Sequence, residues 1–133
     1  MTAPIYGSTN PAPDTPAGKT ALRTYAMMIE LNLEKETLYR ELHADVWPEV
    51  HAAIKRAHIA NYHIYVTELA GRKYLVAHLD YTGDDPAKDF GSIANDTTTR
   101  DKWWPLTASC QHILAGTPEG QVWKPLERVM FIP

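Results

Sequence analysis

Three short stretches carry residues able to do proton or ligand chemistry. In "LYRELHADVWPEV" (38–50), Tyr39, His43 and Trp47 recur at every fourth position and share one face of a helix. Histidine between aromatic walls suits a general acid/base, because an ordinary pKa of about 6.5 makes both protonation forms available near neutrality. The competing reading is a packed stripe whose imidazole is tied to a carbonyl. In "NYHIYV" (61–66), strand alternation sets Tyr62, Ile64 and Val66 on one face and His63 and Tyr65 on the other. A buried tyrosine hydroxyl needs a partner, although tyrosine is also simply a good strand residue. In "DKWWPL" (101–106), Trp103 and Trp104 are neighbours that diverge by about 100° on a helix, so they cannot both face one core. One should face a pocket or an interface. An apolar wall with two indole N–H donors suits a sugar, which combines C–H patches with a hydroxyl rim; one tryptophan in the core and one in a dimer contact is the alternative.

Pro48 dictates how the first of these stretches is built. Inside a continuous helix it would remove one hydrogen bond and clash with the Ala44 carbonyl, at roughly 3 kcal/mol. A joint is cheaper: Asp45 caps a second segment, Pro48 sits in its first turn, and His43 ends the first segment beside the bend, where freed backbone groups can orient it. The surrounding pattern places a strand over 24–32 and a jointed helix over 33–58, with Leu38, Leu42, Val46, Val50 and Ile54 as its apolar stripe. Strands follow over 61–69 and 73–81, linked by the turn 70–72 into a hairpin. A helix starts around Pro86, a second helix covers 98–114, and a last strand covers 125–133.

This order, β-α-β-β-α-β, is the ferredoxin-like split pattern: an α+β fold with an antiparallel sheet and helices on one face. The first strand is apolar on both faces, so the far side of the sheet also wants cover. A second copy packed sheet to sheet, giving a homodimer, is the simplest one.

The chain has 133 residues, 44% hydrophobic and 22% charged, which fits one domain with a modest core. Residues 1–20, rich in Pro, Thr, Ala and Gly, hold too little apolar surface to offset ordering and are expected to be a mobile tail, leaving 21–133 as the domain. A net charge of −3 without long charged runs argues against nucleic acid or an anionic membrane as partner, and no apolar stretch has spanning length. The lone Cys110 can form no internal disulfide and suits the cytoplasm; no Cys/His cluster has zinc spacing, so no metal site is expected. Phosphate loop, dinucleotide fingerprint and nucleophile elbow are all missing.

Taken together, "YxxxHxxxWPE" at 39–49, "NYxIY" at 61–65, "WW" at 103–104 and "FxP" at 131–133 resemble the L-rhamnose mutarotase family, over about residues 22–133. Ala44-Asp45 stands where that family often carries Asn-Pro. The resemblance implies a dimeric α+β barrel and a cofactor-free enzyme that interconverts the α and β anomers of a 6-deoxy-hexose. It matches the acid/base histidine to His43 and the sugar contacts to Tyr39, Tyr62, Trp103 and Trp104. The chemistry agrees with the inventory: ring opening needs only a proton gained at the ring oxygen and one lost from the anomeric hydroxyl. Two rivals share the fold or the aromatic walls: a cofactor-free monooxygenase of the dimeric barrel class, and a non-catalytic sugar-binding module.

Overall fold

The computed structural model describes residues 23–130 and Ile132. The N-terminal segment 1–20, and Phe131 and Pro133 of the terminal motif, lie outside the described residues.

Strand β1 (Arg23–Leu31) runs down the middle of an antiparallel sheet. One edge is the hairpin of β2 (Ile59–Leu69) and β3 (Arg72–Tyr81); on the other, β4 (Gln111–His112) and β5 (Lys124–Pro125) both pair with β1. The order β2-β3-β1-β4 is the expected ferredoxin-like one. Alternation decides the faces. Tyr25, Met27, Ile29 and Leu31 of β1 pack with Leu75, Ala77, Leu79 and Tyr81 of β3 under the helices, while the intervening residues are half-buried on the open face. The hairpin turns on Ala70 (φ 52°) and Gly71 (φ 79°), the left-handed pair that suits strand twist.

The joint forms at Pro48. Helix α1 (Glu36–Ala44), entered through a 3-10 turn at Leu33–Lys35, stops, and α2 (Pro48–Arg56) begins with the proline at its first position. Asp45 does not cap α2; it closes α1 at φ −143°, ψ 79°. The residue before a proline is forced toward extended backbone, so Trp47 (φ −57°, ψ 139°) takes the cap position without a side-chain bond. Tyr39, Ala53 and Ala57 from this pair enter the core.

Helix α3 (Pro86–Ser92) starts as expected, with the Asp85 carboxylate accepting from the Lys88 N–H. The helix expected over 98–114 is shorter: a π turn (Thr99–Trp103) leads into α4 (Trp104–Ala108). Pro105 can give no hydrogen bond one turn back, and a wider turn accommodates the missing donor. After Ala108, the Ser109 and Cys110 carbonyls are taken by the Asn32 side chain (3.4 Å) and main chain (2.8 Å), which turns the chain into β4. The strand expected over 125–133 is also cut short: Lys124 and Pro125 pair with Met28 and Met27, and Leu126 N–H reaches Ala26 O at 2.9 Å. Among the described residues, no helix is long and apolar enough to cross a membrane.

Candidate active site

Strand β2 carries one irregularity, and it aims the site. Pairing runs Ile59↔Tyr81 and Ala60↔Asp80, then resumes at His63↔His78 and Ile64↔Ala77, so β2 holds one extra residue. Asn61 absorbs it with a left-handed φ of 50°, and its Nδ2 donates to Asp80 Oδ2 at 3.1 Å. Without the bulge, Ile59 would share a face with His63. With it, Ile59 and Ile64 both face the helices, and Tyr62 turns inward beside them, while His63 and Tyr65 stack on the open face at 6.0 Å.

Facing Tyr62 across the pocket is the last turn of α1. His43 stacks on the buried Tyr39 ring, with centroids 4.0 Å apart and planes 23° from parallel. The Trp103 ring, held by the π turn, lies 5.3 Å from His43, and Trp47 at the joint meets Trp103 edge-on at 5.0 Å. His43 Nδ1 sits 2.8 Å from the Tyr39 carbonyl oxygen. A carbonyl only accepts, so Nδ1 carries the proton and Nε2 of the neutral ring is left as the base. The orienting carbonyl lies one turn back within α1, not at the bend, as sequence reasoning expected. Burial pushes the imidazole below its ordinary value of 6.5, partly opposed by the bond to Tyr39.

These side chains line two neighbouring spaces. A cavity of about 470 Å³ opens between α2 and β2, walled by His43, Val50, Ile54, Tyr62, Ile64 and Trp103, with His51, Lys55 and Asn61 among its polar lining. A notch of about 30 Å³ shares His43, Tyr62, Ile64 and Trp103 with it and adds Tyr39 and Trp104. All five residues matched to chemistry in the sequence therefore border one notch. Trp103 borders both spaces, whereas Trp104 borders the notch and packs partly on the core. Sequence reasoning did not single out Thr107, Gln111 or Trp123, which complete the notch. Gln111 falls within the helix expected over 98–114, and an isolated Gln carries no periodic or motif signal. Cys110 is a buried free thiol, as a small core residue would be. Among the described residues, no group of three or more His, Cys, Asp or Glu side chains is arranged to hold a metal.

This antiparallel α+β fold has a solved counterpart. The fold is similar to the crystal structure of an L-rhamnose mutarotase from Formosa agariphila, with a TM-score of 0.60 and 25% identity, covering 83% of this chain and 98% of that one. A curated L-rhamnose mutarotase of the same organism is 26% identical over 107 residues, 80% of this chain and 95% of the relative. A UPF0734 protein of Dictyostelium discoideum is 28% identical over 112 residues, 80% and 87% of the two chains. The fold and the family match thus define a carbohydrate isomerase of the anomer-interconverting class. The L-rhamnose mutarotase family model matches residues 24–131, and the chain belongs to that family. The oxidative and binding-only readings gain nothing from these matches.

Proposed function

We propose that this protein interconverts the α and β anomers of L-rhamnose or a related 6-deoxy-hexose, with His43 as the acid/base and without a cofactor. The observation that carries the assignment is the 2.8 Å contact of His43 Nδ1 with the Tyr39 carbonyl, because it leaves Nε2 as a proton acceptor at an aromatic-walled cavity. In the forward step Nε2 takes the anomeric hydroxyl proton. The C1–O5 electron pair moves to the ring oxygen, which gains a proton from water at the cavity mouth, and C1 becomes a carbonyl. Rotation about C1–C2 and the reverse sequence give the other anomer. Tyr39 and Tyr62 orient hydroxyls, and Trp103 and Trp104 wall the sugar ring. A cavity of about 470 Å³ is of ordinary small-ligand size.

The working unit in this reading is a cytoplasmic homodimer. Its support is the open sheet face, where Met28, Val76 and Tyr65 lie side by side in register and Tyr65 is 60% exposed.

Saturation transfer between the two anomers of L-rhamnose at equilibrium, followed by NMR, tests the assignment. Wild type should transfer saturation. His43→Ala should keep its fold by circular dichroism while losing about 10²–10⁴-fold in exchange rate, the usual worth of a positioned acid/base. A fully active mutant sinks the role of His43. Wild type that exchanges no aldose sinks the reaction.

A further inference from the structure

We infer that Gln111 is a substrate-contacting residue, and that its amide and the Trp104 indole form a polar notch receiving one hydroxyl of the substrate. The inference rests on the mutarotase reading above. Two buried polar atoms motivate it: Trp104 Nε1 and Gln111 Oε1 have no hydrogen-bond partner among the described residues, and both residues border the notch of about 30 Å³. Buried polar atoms are nearly always paired, so an unpaired donor and an unpaired acceptor on two residues that border one small space mark a place where something else completes the pairing. They do not satisfy each other. Thr107, also in the wall, directs its one hydroxyl proton to the Trp104 carbonyl at 3.2 Å, so it has none to give to Gln111 Oε1.

The chemistry of the missing group follows. It must accept from an indole N–H and donate to an amide carbonyl, and the space admits about one oxygen-sized group. A hydroxyl does both, whereas a methyl does neither. The notch therefore takes a hydroxyl of a deoxy sugar and turns the methyl-bearing end away. It shares His43 and Trp103 with the larger cavity, so a ring seated against Trp103 can put one hydroxyl there with the rest of the sugar in the larger space. Both residues sit on secondary structure: Gln111 in β4 pairs with Leu31 of β1, and Trp104 opens α4. A site built around a hydroxyl discriminates strongly against ligands that lack it, because its own polar groups are then stranded.

The test compares wild type with Gln111→Met, which keeps side-chain length and removes the amide, on L-rhamnose and its 2-, 3- and 4-deoxy analogues. On L-rhamnose the variant should lose roughly 10–100-fold in kcat/KM. That deficit should vanish with the one analogue that lacks the bound hydroxyl. An equal deficit on every sugar, or none, overturns the notch. The Trp104 indole N–H resonance of wild type gives a second readout that needs no mutant: it should shift on titration with L-rhamnose, and an unmoved resonance overturns the notch even if the variant does not fold. Wild type without exchange on any aldose overturns the mutarotase reading and the notch together. An active wild type with an indifferent Gln111→Met overturns the notch alone.

Discussion

His43 owes its basicity to two opposed effects, and both have a pH signature. Burial disfavours the imidazolium and lowers the pKa below 6.5, while the Tyr39 carbonyl, accepting from Nδ1, pulls it back up. The neutral base therefore persists to more acid pH than an exposed histidine would allow. Exchange should be flat from pH 8 down to 6.5 and fall only below that, measured as kcat/KM on L-rhamnose. An acid limb centred at or above 6.5 would mean that burial does not govern the ring. The stability consequence has the same sign. In the window between the lowered folded value and 6.5, the unfolded chain binds the proton more readily, so folding loses ground as pH falls through that window and nothing above it. His43→Asn should flatten this part of the pH–stability curve, read by denaturant midpoints.

At the scale of elements, two left-handed residues shape β2 and make opposite predictions. Asn61 (φ 50°) carries the bulge that turns Tyr62 toward the pocket. Asn61→Gly loses one exposed bond to Asp80 and should cost little. Asn61→Val cannot hold that backbone and should destabilise by about 1–2 kcal/mol, with a matching loss of exchange as Tyr62 rotates away. Equal midpoints for the two variants would count against the bulge as the aiming device. Ala70 (φ 52°) is a poor residue for the hairpin turn it occupies with Gly71. Ala70→Asn should raise stability by roughly 0.5–1 kcal/mol, visible as a higher Tm without change in activity. The sequence made the hairpin legible, because β-branched and aromatic runs flank a Gly. The bulge was not legible: nothing in "IANYHIY" distinguishes a regular strand from one with an extra residue, since the choice depends on which side chains β3 offers opposite.

For the whole molecule, the helices cover one face of the sheet and leave the other with a row of Met28, Val76 and Tyr65. A homodimer that buries this row should sediment as a dimer at micromolar concentration. Val76→Lys, half-buried at its centre, should shift the equilibrium to monomer by placing a charge in an apolar contact. A wild type that stays monomeric at every concentration would overturn the sheet-to-sheet arrangement.

Much of this protein was written locally. Four-residue spacing made Tyr39, His43 and Trp47 one face, the proline demanded a joint, and strand alternation put Tyr62 opposite His63, because each depends only on backbone period and neighbours in the chain. The order of elements likewise pointed to the ferredoxin-like sheet that the structure shows. Contacts between distant segments were decided by the tertiary structure alone. Trp103 reaches His43 because a π turn ahead of Pro105 rotates it there. Asn32 ends the second helical layer early by claiming the Ser109 and Cys110 carbonyls. That interruption moves Gln111 from an expected helix to the sheet edge beside Leu31, where it borders the same notch as Trp104. Hydrogen bonds between residues nearly eighty positions apart leave no periodic trace in a single sequence, and they built the part of the site that local pattern could not.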